Sequence, residues 1–210
     1  MNPHPHAHQP VLSVGPPPAD ARLGAILIHG RGASADDILG LAHELAMPDI
    51  TYLAPQAAGH TWYPYSFLSR IEQNEPGLGS ALLVIDGLVQ HLEKQGLPPE
   101  RVVLMGFSQG ACLTLEFAAR HARRYAAIAA FSGGLIGPPG TPRDYPGRFD
   151  GTPAYFGCSD VDPHIPVERV RESAEVYRRM GAIVDERIYP GMGHTINRAE
   201  IDAVRTLLAG

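Results

Sequence analysis

Short apolar runs alternate with stretches of helical periodicity along almost the whole chain. Residues 25–28, Ala-Ile-Leu-Ile, are continuously apolar and predict a strand buried on both faces. Residues 35–47 follow with Ile38, Leu41, Ala42 and Leu45 at helical spacing, Ser34 placed to cap them, and Asp36 and Asp37 in the first turn. Residues 50–54 form the next apolar run, stopped by Pro55. This strand, helix and strand predict a parallel pair joined by a right-handed crossover. The longest stripe covers residues 77–95, where Leu78, Leu82, Ile85, Leu88, Val89 and Leu92 share one helical face before Gly96 ends it. Further buried strands are predicted over 101–105, 125–131 and 153–157, with a helix over 111–119 after the first of them. A helix over 166–180 opens on Pro166. Residues 182–189 alternate and predict a strand at or near the sheet edge, and a helix over 200–208 follows. Strands alternating with helices predict an α/β architecture: a mostly parallel central sheet flanked by helices on both faces.

Three stretches have no period. Residues 1–20 carry His4, His6 and His8 among prolines, and predict a flexible His/Pro-rich segment that includes a short edge strand over 11–14. No Cys or carboxylate completes a metal site around those histidines, so no metal is expected. Residues 21–210 are then a single domain. Residues 60–68 form an irregular loop holding the only Trp. Such aromatic density fits a flap packed on the core and a substrate wall equally well. Residues 135–151 are rich in Pro and Gly and predict an ordered surface loop.

Charge and composition narrow the function. A net charge of −5 over 210 residues argues against a dedicated nucleic-acid surface, which would be basic. The densest basic cluster, residues 120–124, falls where a helix C-terminus is expected and suits its dipole. No apolar run approaches the roughly 18 residues of a membrane span, and the N-terminal residues lack the pattern of a signal peptide. Two cysteines, Cys112 and Cys158, make no disulfide framework; both lie in apolar segments and are expected to be buried. A cytoplasmic location and no stable membrane insertion are expected.

The chemistry gathers at the ends of the predicted strands. Gly106-Phe107-Ser108-Gln109-Gly110 lies between a strand and a helix. A Ser on such a tight turn is held strained with its hydroxyl exposed, and the residues two before and two after come too close for side chains. Both are Gly here. A serine hydroxyl needs a base to become a nucleophile, and the base needs a carboxylate to hold its tautomer. Of the ten histidines, His194 lies in a Gly-rich turn after the last strand, from which a ring can reach back to Ser108. His43, His91 and His121 fall within helices, while His29, His60 and His164 fall at loops or strand ends. Asp162 precedes Pro163, which holds it extended at a strand end, whereas Asp160 is placed to bond the turn backbone. An oxyanion needs donors already in place. The backbone N–H groups of Gln109, after the nucleophile, and Arg31, in the turn after the first long strand, are the expected pair. Arg31, His60, Trp62, Tyr63 and Phe67 are the candidate substrate contacts.

Taken together, His29-Gly30-Arg31-Gly32, the residues 106–111, Ser132-Gly133, Asp160-Val161-Asp162-Pro163 and Gly191-Met192-Gly193-His194 resemble the phospholipase/carboxylesterase family of α/β-hydrolases, which also contains acyl-protein thioesterases. The resemblance spans about residues 22–208. It implies an α/β-hydrolase fold without a large cap domain, acting without a cofactor on a small-molecule ester or thioester, and it allows a homodimer. Matched residue by residue, Ser108, Asp162 and His194 take the triad roles, and the amides of Arg31 and Gln109 the oxyanion roles. Arg31 stands where the family often has Leu, and residues 60–68 are unlike a long acyl-channel loop. Both departures favour small to medium carboxylic esters over protein depalmitoylation. Thioester or lactone hydrolysis would use the same triad, and a non-catalytic ligand-binding protein of the same fold is the reading from another class.

Overall fold

The computed structural model describes residues 3–210, of which five α-helices and seven strands build three layers. The strands are β1 (Val11–Val14), β2 (Leu23–Ile28), β3 (Ile50–Pro55), β4 (Val102–Phe107), β5 (Ala127–Phe131), β6 (Pro153–Ser159) and β7 (Ile183–Tyr189). The helices are α1 (Ala35–Leu45), α2 (Gly77–Lys94), α3 (Gln109–Arg120), α4 (Val167–Arg179) and α5 (Arg198–Ala209). One sheet runs in the order β1-β3-β2-β4-β5-β6-β7; only β1 is antiparallel to its neighbour.

The strand order explains where the helices go. The chain passes from β2 to β3 in one direction, then from β3 back across β2 to β4, and continues that way to β7. Right-handed crossovers in opposite directions put their helices on opposite faces. Accordingly α1, joined by α5, covers one face, and α2, α3 and α4 cover the other. Every residue of β2 is buried, and its side chains divide by the strand period: Ala25 and Leu27 pack with α1 and α5, Ile26 and Ile28 with α2 and α3. That is why β2 reads as an unbroken apolar run. The reversal of direction opens a crevice between the carboxyl ends of β2 and β4, the usual ligand position in such sheets.

Local signals set the boundaries. Ser34 and Asp37 form a reciprocal cap on α1, and Asn197 and Glu200 form another on α5, each satisfying amides the first helical turn leaves open. Of residues 1–20, expected from sequence to be flexible, Met1 and Asn2 lie outside the described residues, and the rest make defined contacts. β1 pairs with β3, and His6 is buried: its N–H bonds Ser80 Oγ, its Nε2 bonds the Trp62 carbonyl at 2.8 Å, and its Nδ1 accepts the Ala58 N–H at 3.0 Å. Three directional bonds offset the ordering entropy of a short segment. Residues 135–151 form the expected irregular loop, with Leu135, Ile136 and Phe149 turned into the core and the Leu135 and Gly137 carbonyls held by the buried Arg169 guanidinium. No helix of the described residues is long and apolar enough to cross a membrane.

Candidate active site

β4 leads straight into α3 through Ser108, whose backbone sits at φ 56° and ψ −118°. A non-glycine residue there is strained by about 1–3 kcal/mol and persists only where its surroundings hold it. The neighbours explain how. A Cβ at Gly106 would stand 2.5 Å from the Gly110 carbonyl carbon, and one at Gly110 would overlap the Ile28 carbonyl. Glycine at both positions lets β4, α3 and β2 close on one another, while the Ser108 N–H is tied to the Phe131 carbonyl at 2.9 Å. The turn pushes the Ser108 hydroxyl out of the backbone and over the crevice.

From there a hydrogen-bonded chain crosses three loops. Ser108 Oγ lies 2.8 Å from His194 Nε2, and His194 Nδ1 lies 2.7 Å from Asp162 Oδ2. Because an ionised carboxylate only accepts, Nδ1 carries the proton and donates to Asp162, leaving Nε2 to accept from the serine hydroxyl. The other oxygen of Asp162 accepts the His164 N–H at 2.8 Å and the Ile165 N–H at 3.0 Å. Its side chain is wholly buried. Burial alone would raise the Asp162 carboxyl, but the bonds from His194, His164 and Ile165 outweigh it and hold the group below the usual carboxylate range. Asp160 takes a different part: it accepts the Gly191 N–H at 2.8 Å and so fastens the loop that carries His194. The His194 ring is held between Phe107 and His164, each with its centroid 4.8 Å away.

Arg31, beyond the end of β2, and Gln109, directly after Ser108, line one cavity with that serine, and the N–H group of neither has a protein acceptor among the described residues. Their side chains turn to the aromatic loop instead. Gln109, 5% exposed, accepts the Trp62 N–H at 2.9 Å and donates to the Tyr63 carbonyl at 2.9 Å. The Arg31 guanidinium donates to the Tyr63, Pro64 and Tyr65 carbonyls at 2.9, 3.0 and 2.7 Å. The loop is thus clamped from both expected oxyanion residues.

Ser108 opens on a cavity of about 550 Å³ walled by Tyr63, Phe67, Cys112, Ile165 and His164 together with Arg31, Gln109 and His194. Of the residues expected from sequence, Arg31, Tyr63, Phe67, Gln109, Ser108 and His194 meet here, with Asp162 behind His194. Trp62 and His60 do not. Trp62 is fully buried, its indole N–H donating to the His29 carbonyl at 2.9 Å and its ring packed 5.0 Å from that of His29. His60 is exposed and bonded to the Ala33 carbonyl at 2.9 Å. The aromatic loop is therefore flap and wall at once: Trp62 packs into the core, and the five residues after it line the cavity. Cys112 on the wall is no second nucleophile, since burial pushes its thiol up to about 12. His164 and Ile165 escaped sequence reasoning, although their place directly after Asp162-Pro163 was the available signal. Among the described residues no cluster of three His, Cys, Asp or Glu side chains is arranged to hold a metal ion.

The chain is similar in sequence and fold to other proteins. The chain superposes on the crystal structure of a phospholipase/carboxylesterase from Dyadobacter fermentans with a TM-score of 0.93 and 42% identity, covering 96% of this chain and 97% of that one. It is 33% identical over 144 residues to acyl-protein thioesterase 1 of Gibberella zeae, a match covering 67% of this chain and 60% of the relative. It is 28% identical over 130 residues to a probable carboxylesterase of Oryza sativa subsp. japonica, covering 61% of this chain and 48% of the relative. Both matches thus span less than two thirds of the relative's own length. The sequence model of the phospholipase/carboxylesterase family matches residues 12–209, and the chain belongs to that family.

Proposed function

We propose that the protein is a serine hydrolase of carboxylic esters with small to medium acyl groups, working through an acyl-enzyme with Ser108, His194 and Asp162 as its triad. The observation that carries this reading is the unbroken chain from Asp162 to His194 to Ser108, at 2.7 and 2.8 Å, ending on a strained serine that faces a cavity. Ser108 Oγ attacks the acyl carbon while His194 Nε2 takes its proton. Negative charge on the carbonyl oxygen is met by the N–H groups of Arg31 and Gln109, the latter at the positive end of α3. Asp162, held ionised, stabilises the imidazolium. His194 then gives the proton to the leaving alcohol, and the same ring activates the water that releases the acid. The residues carry out every step themselves, and a small-molecule ester is the only partner the scheme requires.

A thioester reading has its own support in the relatives named acyl-protein thioesterase, because a thiolate leaves from the same intermediate without needing as much help from His194. Cytoplasmic residence belongs to this proposal as well, consistent with two buried cysteines that remain unpaired. The test is hydrolysis of p-nitrophenyl acetate through palmitate, and of matched thioesters, by the native protein and Ser108→Ala. The expected result is turnover favouring the shorter esters, falling on the order of 10³-fold or more in the variant. Unchanged turnover in Ser108→Ala would reject the mechanism.

A further inference from the structure

His194 borders two cavities. The second, about 450 Å³, is lined by His194 and Phe107 and walled by Ile38, Leu41, Ile196 and Ile201, but not by Ser108, Gln109 or Arg31. The two lie toward opposite faces of the sheet. Tyr63, Phe67, Cys112 and Ile165 of the first belong to the core layer under α2, α3 and α4, while Ile38, Leu41 and Ile201 of the second belong to the layer between α1 and α5. The His194 ring stands between them, with His164 on the side of the first cavity and Phe107 lining the second.

Stereochemistry assigns an occupant to each side. In the tetrahedral intermediate on Ser108, one oxygen must meet the Arg31 and Gln109 amides and the leaving oxygen must meet His194 Nε2. The acyl group remains near Ser108 and Gln109, within the first cavity. A group that continues past the His194 ring can only be attached to the leaving oxygen. We infer that the cavity between α1 and α5 is the leaving-group subsite of this enzyme, and that it takes a bulky apolar alcohol. The inference rests on the hydrolase reading above. Its walls decide for an apolar group: Ile38, Leu41, Phe107, Ile196 and Ile201 form them, while the carboxylates Asp37 and Glu44 are exposed at the rim, where water solvates their charge and Arg198 pairs with Glu44.

Butyrate esters of ethanol, benzyl alcohol and cyclohexylmethanol, alcohols of similar acidity, test the subsite against ethyl esters of acetate through octanoate, in the native protein and in Ala33→Phe and the milder Ala33→Leu. Ala33 is half-buried on the rim of the second cavity, so the larger side chains narrow it without entering the core. The native protein should prefer the bulky alcohols about tenfold or more in kcat/KM. Ala33→Phe should abolish that preference, with Ala33→Leu intermediate, while ethyl esters and the acyl-length profile stay within about twofold. Equal loss on all esters, a shifted acyl profile, or a native enzyme indifferent to the alcohol would overturn the subsite while leaving the hydrolase reading in place. Failure to turn over any ester, with Ser108 unreactive toward a phosphonate, would overturn both.

Discussion

Replacing Gln109 by Ala separates the two parts this residue plays. Its backbone N–H, at the start of α3, is unaffected by the side chain, and Ala is well tolerated in the first helical turn. Among the described residues, its carboxamide is the only acceptor for the buried Trp62 backbone N–H and one of two donors to the Tyr63 carbonyl, the other being Arg31. Leaving the Trp62 amide without a partner costs about 1–3 kcal/mol, and the lost bond to Tyr63 adds about 0.5–1 kcal/mol because Arg31 still satisfies that oxygen. With some cavity cost the total is about 2–4 kcal/mol, or a fall in Tm of roughly 4–16 °C for a domain of this size. Urea unfolding followed by the fluorescence of Trp62, the sole tryptophan, measures the first effect; steady-state hydrolysis of p-nitrophenyl butyrate measures the second. KM should rise as the Tyr63 wall loosens, and kcat should fall less than about tenfold, because the oxyanion donor is kept. Unchanged stability combined with a loss of about 10²–10³ in kcat would refute the argument, since it would put the carboxamide itself in the chemistry.

Other perturbations follow from the same contacts. Asp162→Asn should lower kcat by about 10³–10⁴, because the imidazole loses the partner that fixes its tautomer. Asp160→Asn, which removes the charge but keeps an oxygen able to accept the exposed Gly191 amide, should cost less than about tenfold; the reverse ranking in steady-state assays would exchange their roles. Arg31→Leu keeps the backbone donor and releases the Tyr63, Pro64 and Tyr65 carbonyls, so KM should rise several-fold, about 3–10 times, with kcat nearly unchanged. A large fall in kcat alone would place the guanidinium on the transition state. Stability should change with pH on both sides of neutrality. Burial lowers His6 and His29 below 6.5, against the pull of their carbonyl partners, so their contribution is complete above 6.5 and is lost as pH falls below it toward the folded values. Burial raises Glu200 to about 7, so its contribution is complete below the ordinary 4.5 and is lost as pH rises through about 7. Glu200→Gln preserves the helix cap and should abolish the alkaline fall in urea-unfolding free energy between pH 5 and 8, leaving the acid fall in place.

The parts of this molecule legible in the sequence are those written by short-range rules. β2 and β4 are buried on both faces and so appear as unbroken apolar runs; Gly106 and Gly110 mark a backbone approach no other residue permits. Asp162 and His194 follow because strand ends in a parallel sheet converge on one edge. What the sequence could not convey is direction. Trp62 and Tyr63 are adjacent aromatic residues of one loop, yet the indole is bonded to His29 deep in the protein and the phenol wall faces Ser108. His6 looked like its neighbours His4 and His8 in a Pro-rich segment, and only Ser80, Trp62 and Ala58, distant in the chain, distinguish it. Arg31 lines the cavity beside Ser108, yet nothing in the chain reveals the three carbonyls that take its guanidinium. Tertiary partners decide such side chains, and they are invisible to periodicity.

The central claim is that Ser108 is a nucleophile activated by His194. The most direct measurement is mass spectrometry of the protein after exposure to a fluorophosphonate, in the native form, Ser108→Ala and His194→Ala. A single adduct on the peptide containing Ser108, absent from Ser108→Ala and slowed on the order of 10³-fold or more in His194→Ala, is the predicted result. No adduct on the native protein, or an adduct at another residue that persists in Ser108→Ala, would contradict it.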